Sequence, residues 1–170
     1  MRQIAGWMLS GIVMAATWGD LRSGRIPNQL IVGGLLAGLL CQIVQYKAAG
    51  IVLFLGGSLL PLLLLGLLFY FRMLGAGDIK LFCMVGGFLG AMDLLRCMTW
   101  AAVFGAVWSA WILWKRHLWS ERLGYFMHYT ETYVKERRWK SYLDGVEKAG
   151  RICFSLPILA SVLCYMGGWI

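Results

Sequence analysis

The stretch "GIVLFLGGSLLPLLLLGLLFYF", residues 50–71, contains no charged side chain. A helix needs about 20 mostly apolar residues to cross the hydrocarbon core of a bilayer. This run meets that length, and it sets the fold class as an all-α integral membrane protein. The composition agrees. Of 170 residues, 60% are hydrophobic and only 14% charged, with a mean hydropathy of +0.70. An ordinary soluble domain has about a quarter of its residues charged. The length fits a single domain, residues 1–170.

Working outward, five more apolar runs flank this one: 3–19, 28–46, 78–95, 97–114 and 152–170. Six transmembrane helices are therefore expected. The short turn between the fourth and fifth, at Arg96, makes those two antiparallel neighbours. The first run also has the basic start, apolar stretch and small residues (Ala15, Ala16) of a cleaved signal peptide. Cleavage there would strip the helix that carries Asp20. Pro27 opens the second run, where a missing N–H costs nothing. Pro61 falls inside the third and is expected to kink it. Pro157 lies in the first turns of the sixth. The glycines of "VGGFLG", residues 85–90, let helices approach closely.

Orientation follows from lysine and arginine. One side holds Arg22, Arg25, Arg72, Lys80 and the nine basic residues of the last connection; the other holds only Arg2, Lys47 and Arg96. The richer side is cytoplasmic by the positive-inside rule. Both termini then lie outside the cytoplasm. The net charge of +8 meets anionic lipid headgroups rather than nucleic acid. The connection 115–151 interleaves those charges with Trp119, Tyr125, Phe126, Tyr129, Tyr133, Trp139 and Tyr142, as suits a helix lying in the cytoplasmic membrane interface.

The five cysteines, Cys41, Cys83, Cys97, Cys153 and Cys164, show no metal or disulfide spacing and read as small apolar core residues. His117 and His128 would stand about 16 Å apart along a helix, too far to share a metal. No metal site and no cofactor are expected.

Eight carboxylates remain. Glu121, Glu131, Glu136, Asp144 and Glu147 sit among basic partners in the last connection and read as a solvated face. Asp93 has Arg96 at i+3, a helix-surface pair. Asp20 and Asp78 differ. Asp20 closes the first run and Asp78 opens the fourth, so both lie at the cytoplasmic end and at one depth. Carboxylates at membrane depth are costly and mark function by default. Two at one depth on different helices can share a proton and activate water. The alternative is that each caps a helix in headgroup water. Gly75 and Gly77 favour the catalytic reading, because they let the backbone before Asp78 bend and approach a neighbour or an extended substrate. Helix-end electrostatics make Asp78, helped by Lys80, the base and Asp20 the acid.

These residues resemble a known family. "GAGDIK", residues 75–80, looks like the GxGD signature of membrane aspartic peptidases. "DLRSGRIPN", residues 20–28, resembles the other half of the type IV prepilin leader peptidase pattern: an Asp, then basic residues, then Ile-Pro-Asn. "SLPILASVLCY", residues 155–165, is similar to that family's proline-containing last helix. The combination at this separation is far more specific than GxGD alone.

The resemblance implies an enzyme that cuts the basic leader of prepilins or pseudopilins at the cytoplasmic face of the inner membrane. Its partners are that substrate and the surrounding lipid, not nucleic acid; the oligomeric state stays open. Asp20 and Asp78 match the catalytic aspartates, and Gly75 and Gly77 the signature glycines. Arg22, Pro27, Asn28 and Lys80 are supporting motif positions. The chain opens directly on the first core helix. It thus looks like the short, peptidase-only branch, without N-methyltransferase activity. Two alternatives stand beside this reading. One is a presenilin-like or signal-peptide-peptidase-like GxGD protease cutting inside the bilayer. The other is a non-catalytic membrane subunit of a secretion machine.

Overall fold

A computed structural model describes residues 2–24, 26–70, 74–115 and 154–169. Among them the chain is all-helical, with six helices: α1 (Arg2–Ser23), α2 (Asn28–Tyr46), α3 (Ala48–Tyr70), α4 (Ala76–Leu89), α5 (Ala91–Lys115) and α6 (Ser155–Met166). The chain forms two compact units, Met1–Phe104 with Cys153–Ile170, and Gly105–Ile152. All features of the candidate site belong to the first. Arg25, Arg72, His117, His128, Cys153 and the connection 116–151 lie outside the described residues.

Three helices are long and apolar enough to cross a membrane: α2, α3 and the Ala91–Ile112 part of α5. Their outward faces are greasy. Leu36, Leu40 and Val44 of α2 and Leu59, Leu63 and Leu67 of α3 are exposed. In water such a surface would be an aggregation liability; against lipid tails it is at home. The buried side is finer-grained. Leu9 and Val13 of α1 pack with Leu81, Met84 and Val85 of α4, and with Ile158 and Val162 of α6.

Helix α4 is the hub. Residues Ile79, Leu81, Phe82 and 84–88 are all buried, covering every side of the helix, as expected of one enclosed by neighbours. The sequence makes room for those neighbours. A Cβ on Gly57 of α3 would collide with the Gly86 carbonyl of α4, and a Cβ on Gly86 would collide with the Gly57 carbonyl. The two backbones are thus in mutual contact. Gly34 of α2 gives way to Met84, and Gly38 accommodates Phe88, whose ring would be 3.0 Å from an added Cβ. The glycines of 85–90 therefore do what the sequence anticipates, at Gly86 and Gly87.

Three boundaries differ from expectation. The break between the fourth and fifth helices falls at Gly90, not at Arg96. Gly90 has φ +81°, a left-handed conformation that glycine adopts without a Cβ penalty, and its N–H bonds the Gly86 carbonyl at 2.8 Å. Asp93 consequently lies in the first turn of α5, where its pairing with Arg96 is seen at 3.5 Å. It also accepts a hydrogen bond from the Tyr165 hydroxyl of α6 at 2.5 Å, which a simple surface pair does not anticipate. The first helix runs one turn further than expected, to Ser23, and the last is shorter, ending at Met166. Pro61 lies inside α3, buried.

Because α4 is only 14 residues long, it measures about 21 Å, less than the ~30 Å hydrocarbon core. Its last carbonyls end among other helices, where water cannot serve them. Gln42 of α2 supplies a donor: its Nε2 bonds the Phe88 carbonyl at 2.9 Å.

Candidate active site

Asp20 stands in the last turn of α1. The helix stops just beyond it because Gly24 turns left-handed (φ +63°) and its N–H returns to the Asp20 carbonyl at 2.7 Å, a glycine C-terminal stop. The side chain is half-buried. Its Oδ2 accepts a hydrogen bond from the Ser155 hydroxyl at 2.6 Å. Ser155 is the first residue of α6 and fully buried. One turn back along α1, Thr17 donates to the Val13 carbonyl at 2.8 Å and to the Ser155 carbonyl at 3.4 Å. The start of α6 is therefore held against α1 at two points.

Asp78 enters from the opposite direction, in the first turn of α4. Gly75 is the N-cap, extended at φ −73° and ψ 143°. The Asp78 N–H bonds the Gly75 carbonyl at 3.2 Å, and the Gly75 backbone amide in turn bonds the Asp78 carboxylate. This is the third-position half of a capping box. Gly75 leaves room for that carboxylate: an added Cβ would stand 3.1 Å from Asp78 Oδ2, so the carboxylate would have to shift by a few tenths of an ångström. Asp78, too, is half-buried. The two carboxyl groups are close enough for their charges to act on each other.

The two motif segments interlock around this pair. Ile26 packs over Gly77, with its Cδ1 3.4 Å from where a Cβ would sit. The Pro27 carbonyl accepts from the Leu30 and Ile31 amides at 3.1 and 3.4 Å, starting α2. Lys80 Nζ donates to Asn28 Oδ1 at 2.9 Å. Lys80 thus takes Asn28 as its partner rather than neutralising Asp78. Each aspartate has its own neutral donor, Gly75 or Ser155, so helix-end electrostatics alone no longer rank one as base and the other as acid. Arg22 is exposed in the last turn of α1, a favourable place for a cation beside a helix C-terminus. Among the described residues it forms no hydrogen bond or ion pair with either aspartate.

The sequence did not single out Ser155 or Thr17. A serine two residues before Pro157 reads as a helix start, and nothing local shows that its hydroxyl leaves its own helix for one made 135 residues earlier. Among the described residues no group of three or more His, Cys, Asp or Glu side chains could hold a metal ion. Two neighbouring half-buried carboxylates can share one proton. The ionised member can then take a proton from water while the other polarises a carbonyl.

The fold and site define a helical membrane protein with a pair of interacting carboxylates at one end of its core. Residues 7–110 match the model of the type IV leader peptidase family, and the chain belongs to that family. The matched segment holds both aspartates and both motif segments, and stops short of α6. No curated protein and no solved structure matches the chain. Membership makes the protein a peptidase, hence a hydrolase, of the membrane.

Proposed function

We propose that this chain is an aspartic endopeptidase that removes the basic leader of type IV prepilins or pseudopilins at the cytoplasmic face of the inner membrane. One observation carries the reading. Asp20 and Asp78, 58 positions apart in sequence, come from the end of one helix and the start of another to within electrostatic reach. In the reaction, one carboxylate accepts a proton from a water molecule, which attacks the scissile carbonyl. The other donates its proton to the carbonyl oxygen. As the tetrahedral intermediate collapses, the first carboxyl group passes the proton it took from water to the leaving amine, and the second regains one from the gem-diol hydroxyl as the carbonyl re-forms. The protonation states exchange when water adds and are restored when the amine leaves; because water is the nucleophile, the reading needs no covalent intermediate and no cofactor.

The location suits the substrate. On the proposed topology of six spans with both termini outside, the start of α4 and the end of α1 lie on the side rich in lysine and arginine. The junction between a basic leader and an apolar segment lies at that same interface. Gly75, which is exposed, leaves an open backbone beside Asp78, where an extended peptide can approach. Lipid headgroups meet the basic residues of the 115–151 connection.

The test is cleavage of a purified prepilin in detergent, with the product N-terminus read by mass spectrometry. Asp20→Asn and Asp78→Asn should each lose cleavage by about 10²–10⁴-fold while accumulating in membranes like the wild type. Wild-type cleavage by either variant rules out the two-carboxylate mechanism. An intact leader with the wild-type enzyme points to a non-catalytic subunit; a cut within the apolar segment points to intramembrane proteolysis.

A further inference from the structure

We propose that Ser155 is a positioning residue for the aspartate pair: its hydroxyl fixes the orientation of the Asp20 carboxyl group and thereby the oxygen that Asp20 presents to the reacting atoms. The inference rests on the functional reading above and goes beyond it, because α6 lies outside the segment that identifies the family.

The local chemistry is unusual. A serine at the start of a helix ordinarily caps its own helix, accepting from one of the first free N–H groups. In α6 the N-cap is Phe154, and there is no side-chain cap bond. The Ser155 hydroxyl instead donates across to α1, reaching Asp20 Oδ2 at 2.6 Å. Ser155 is fully buried, so no competing water turns the hydroxyl away, and an unmade bond there would carry its full desolvation cost. Its backbone lies against the same helix: the buried Thr17 hydroxyl, which donates mainly to the Val13 carbonyl at 2.8 Å, also comes within 3.4 Å of the Ser155 carbonyl. Thr17 and Asp20 lie three residues apart, on one face of α1. The same face therefore lies against the backbone of Ser155 and receives its side chain.

With Oδ2 engaged, the carboxyl plane is set, and Oδ1 is the oxygen left to face water or the peptide. Asp78 has an equivalent tether in the Gly75 amide. That tether comes from the backbone of its own helix, whereas Asp20 depends on a side chain from the last one. A single substitution can remove it without touching either aspartate.

The experiment uses the full-length enzyme and a purified prepilin with a basic leader. Ser155→Ala should lower kcat by roughly ten- to a hundredfold, the value of one hydrogen bond to a charged group, with KM unchanged. Ser155→Thr, which keeps the hydroxyl, should recover most of that loss. Independently of activity, the Asp20 carboxyl infrared band, isolated in an Asp78→Asn background, should shift when Ser155→Ala is added. Wild-type kcat in Ser155→Ala, or an unmoved band, overturns the proposal. So does an equal loss in Ser155→Thr with the wild-type band retained, which assigns the effect to packing. If Ser155→Ala does not accumulate, Ser155→Gly also removes the hydroxyl and is judged by the same criteria. Asp20→Asn run in parallel separates the two levels. If it is inactive while Ser155→Ala is unimpaired, only the positioning role falls; if it cleaves normally, the functional reading falls first.

Discussion

Adding one methyl group to Gly57 should damage an active site that lies at the far end of another helix. A Cβ at this position meets the Gly86 carbonyl head-on and comes within 3.1 Å of the Gly90 Cα. Both obstacles are backbone, so no side chain can swing aside. Helices α3 and α4 must part, by on the order of 1 Å, and overpacking of this kind costs about 1–3 kcal/mol. Alanine's better helix propensity returns up to about 1 kcal/mol. Gly57→Ala should thus be less stable than wild type by about 1–2 kcal/mol.

Gly56, its neighbour on the same helix, has nothing within 4 Å of its own Cβ position. Gly56→Ala should therefore be neutral or slightly stabilising. The pair cancels effects of propensity, hydrophobicity and expression. The two variants differ by the overpacking cost of about 1–3 kcal/mol, and at about 2–4 °C per kcal/mol for a chain of this size their melting temperatures in detergent should differ by roughly 2–12 °C. Asp78 rides on α4, eight residues from Gly86. A shift of about 1 Å in a catalytic group can cost on the order of 10²-fold in rate, and prepilin cleavage by Gly57→Ala should fall by about that factor. Equal melting temperatures and equal cleavage rates for the two variants would refute the backbone-contact argument.

Gly75→Ala should slow cleavage by about tenfold or more through crowding of the Asp78 carboxylate, whereas Gly77→Ala, in ordinary contact with Ile26, should retain most activity. A double-mutant cycle on Lys80→Ala and Asn28→Ala should show a coupling below about 1 kcal/mol in stability, as for other exposed polar pairs; coupling well above that would mean that the pair is not exposed in the membrane. Tyr165→Phe should lower stability by about 1 kcal/mol through loss of its bond to Asp93 and leave kcat unchanged, as read by thermal melting and cleavage. Asp93→Asn keeps an acceptor oxygen and should be nearly silent in cleavage. A cysteine at Ser141, in a background without native cysteines, should resist impermeant reagents applied outside intact cells; labelling there would reverse the orientation.

The long elements were legible because each depends on local chemistry. Pro27 and Asn28 announce the start of α2, and the charge-free run 50–71 covers nearly all of α3. The boundary after α4 was not legible in the same way. Residues 78–114 are almost continuously apolar, and Arg96 looked like a better break than Gly90, whose role depends on its left-handed φ. The aspartates could be found because charge is rare in this chain and conspicuous at helix ends. Their partners were harder. Gly75 was visible as a flexible residue, but its amide bond to Asp78 is a matter of capping geometry. Ser155 is an unremarkable hydroxyl whose meaning depends on which helix it faces, and periodicity within α6 carries no such information.

The Ser155–Asp20 bond also has a consequence in time. Its partners are separated by 135 positions, and at about 5–20 residues per second the ribosome needs on the order of 10 s to travel from one to the other. Throughout that interval α1 to α4 can already be in the bilayer with both aspartates present, while Asp20 lacks its donor. The last helix therefore completes the carboxylate pair as well as the bundle. A nascent chain, or one cut short by a stop codon before α6, carries both aspartates and the whole matched segment 7–110 and still has an untethered Asp20. If Ser155 positions Asp20 as proposed, the full rate arrives with α6, not with the appearance of the second aspartate.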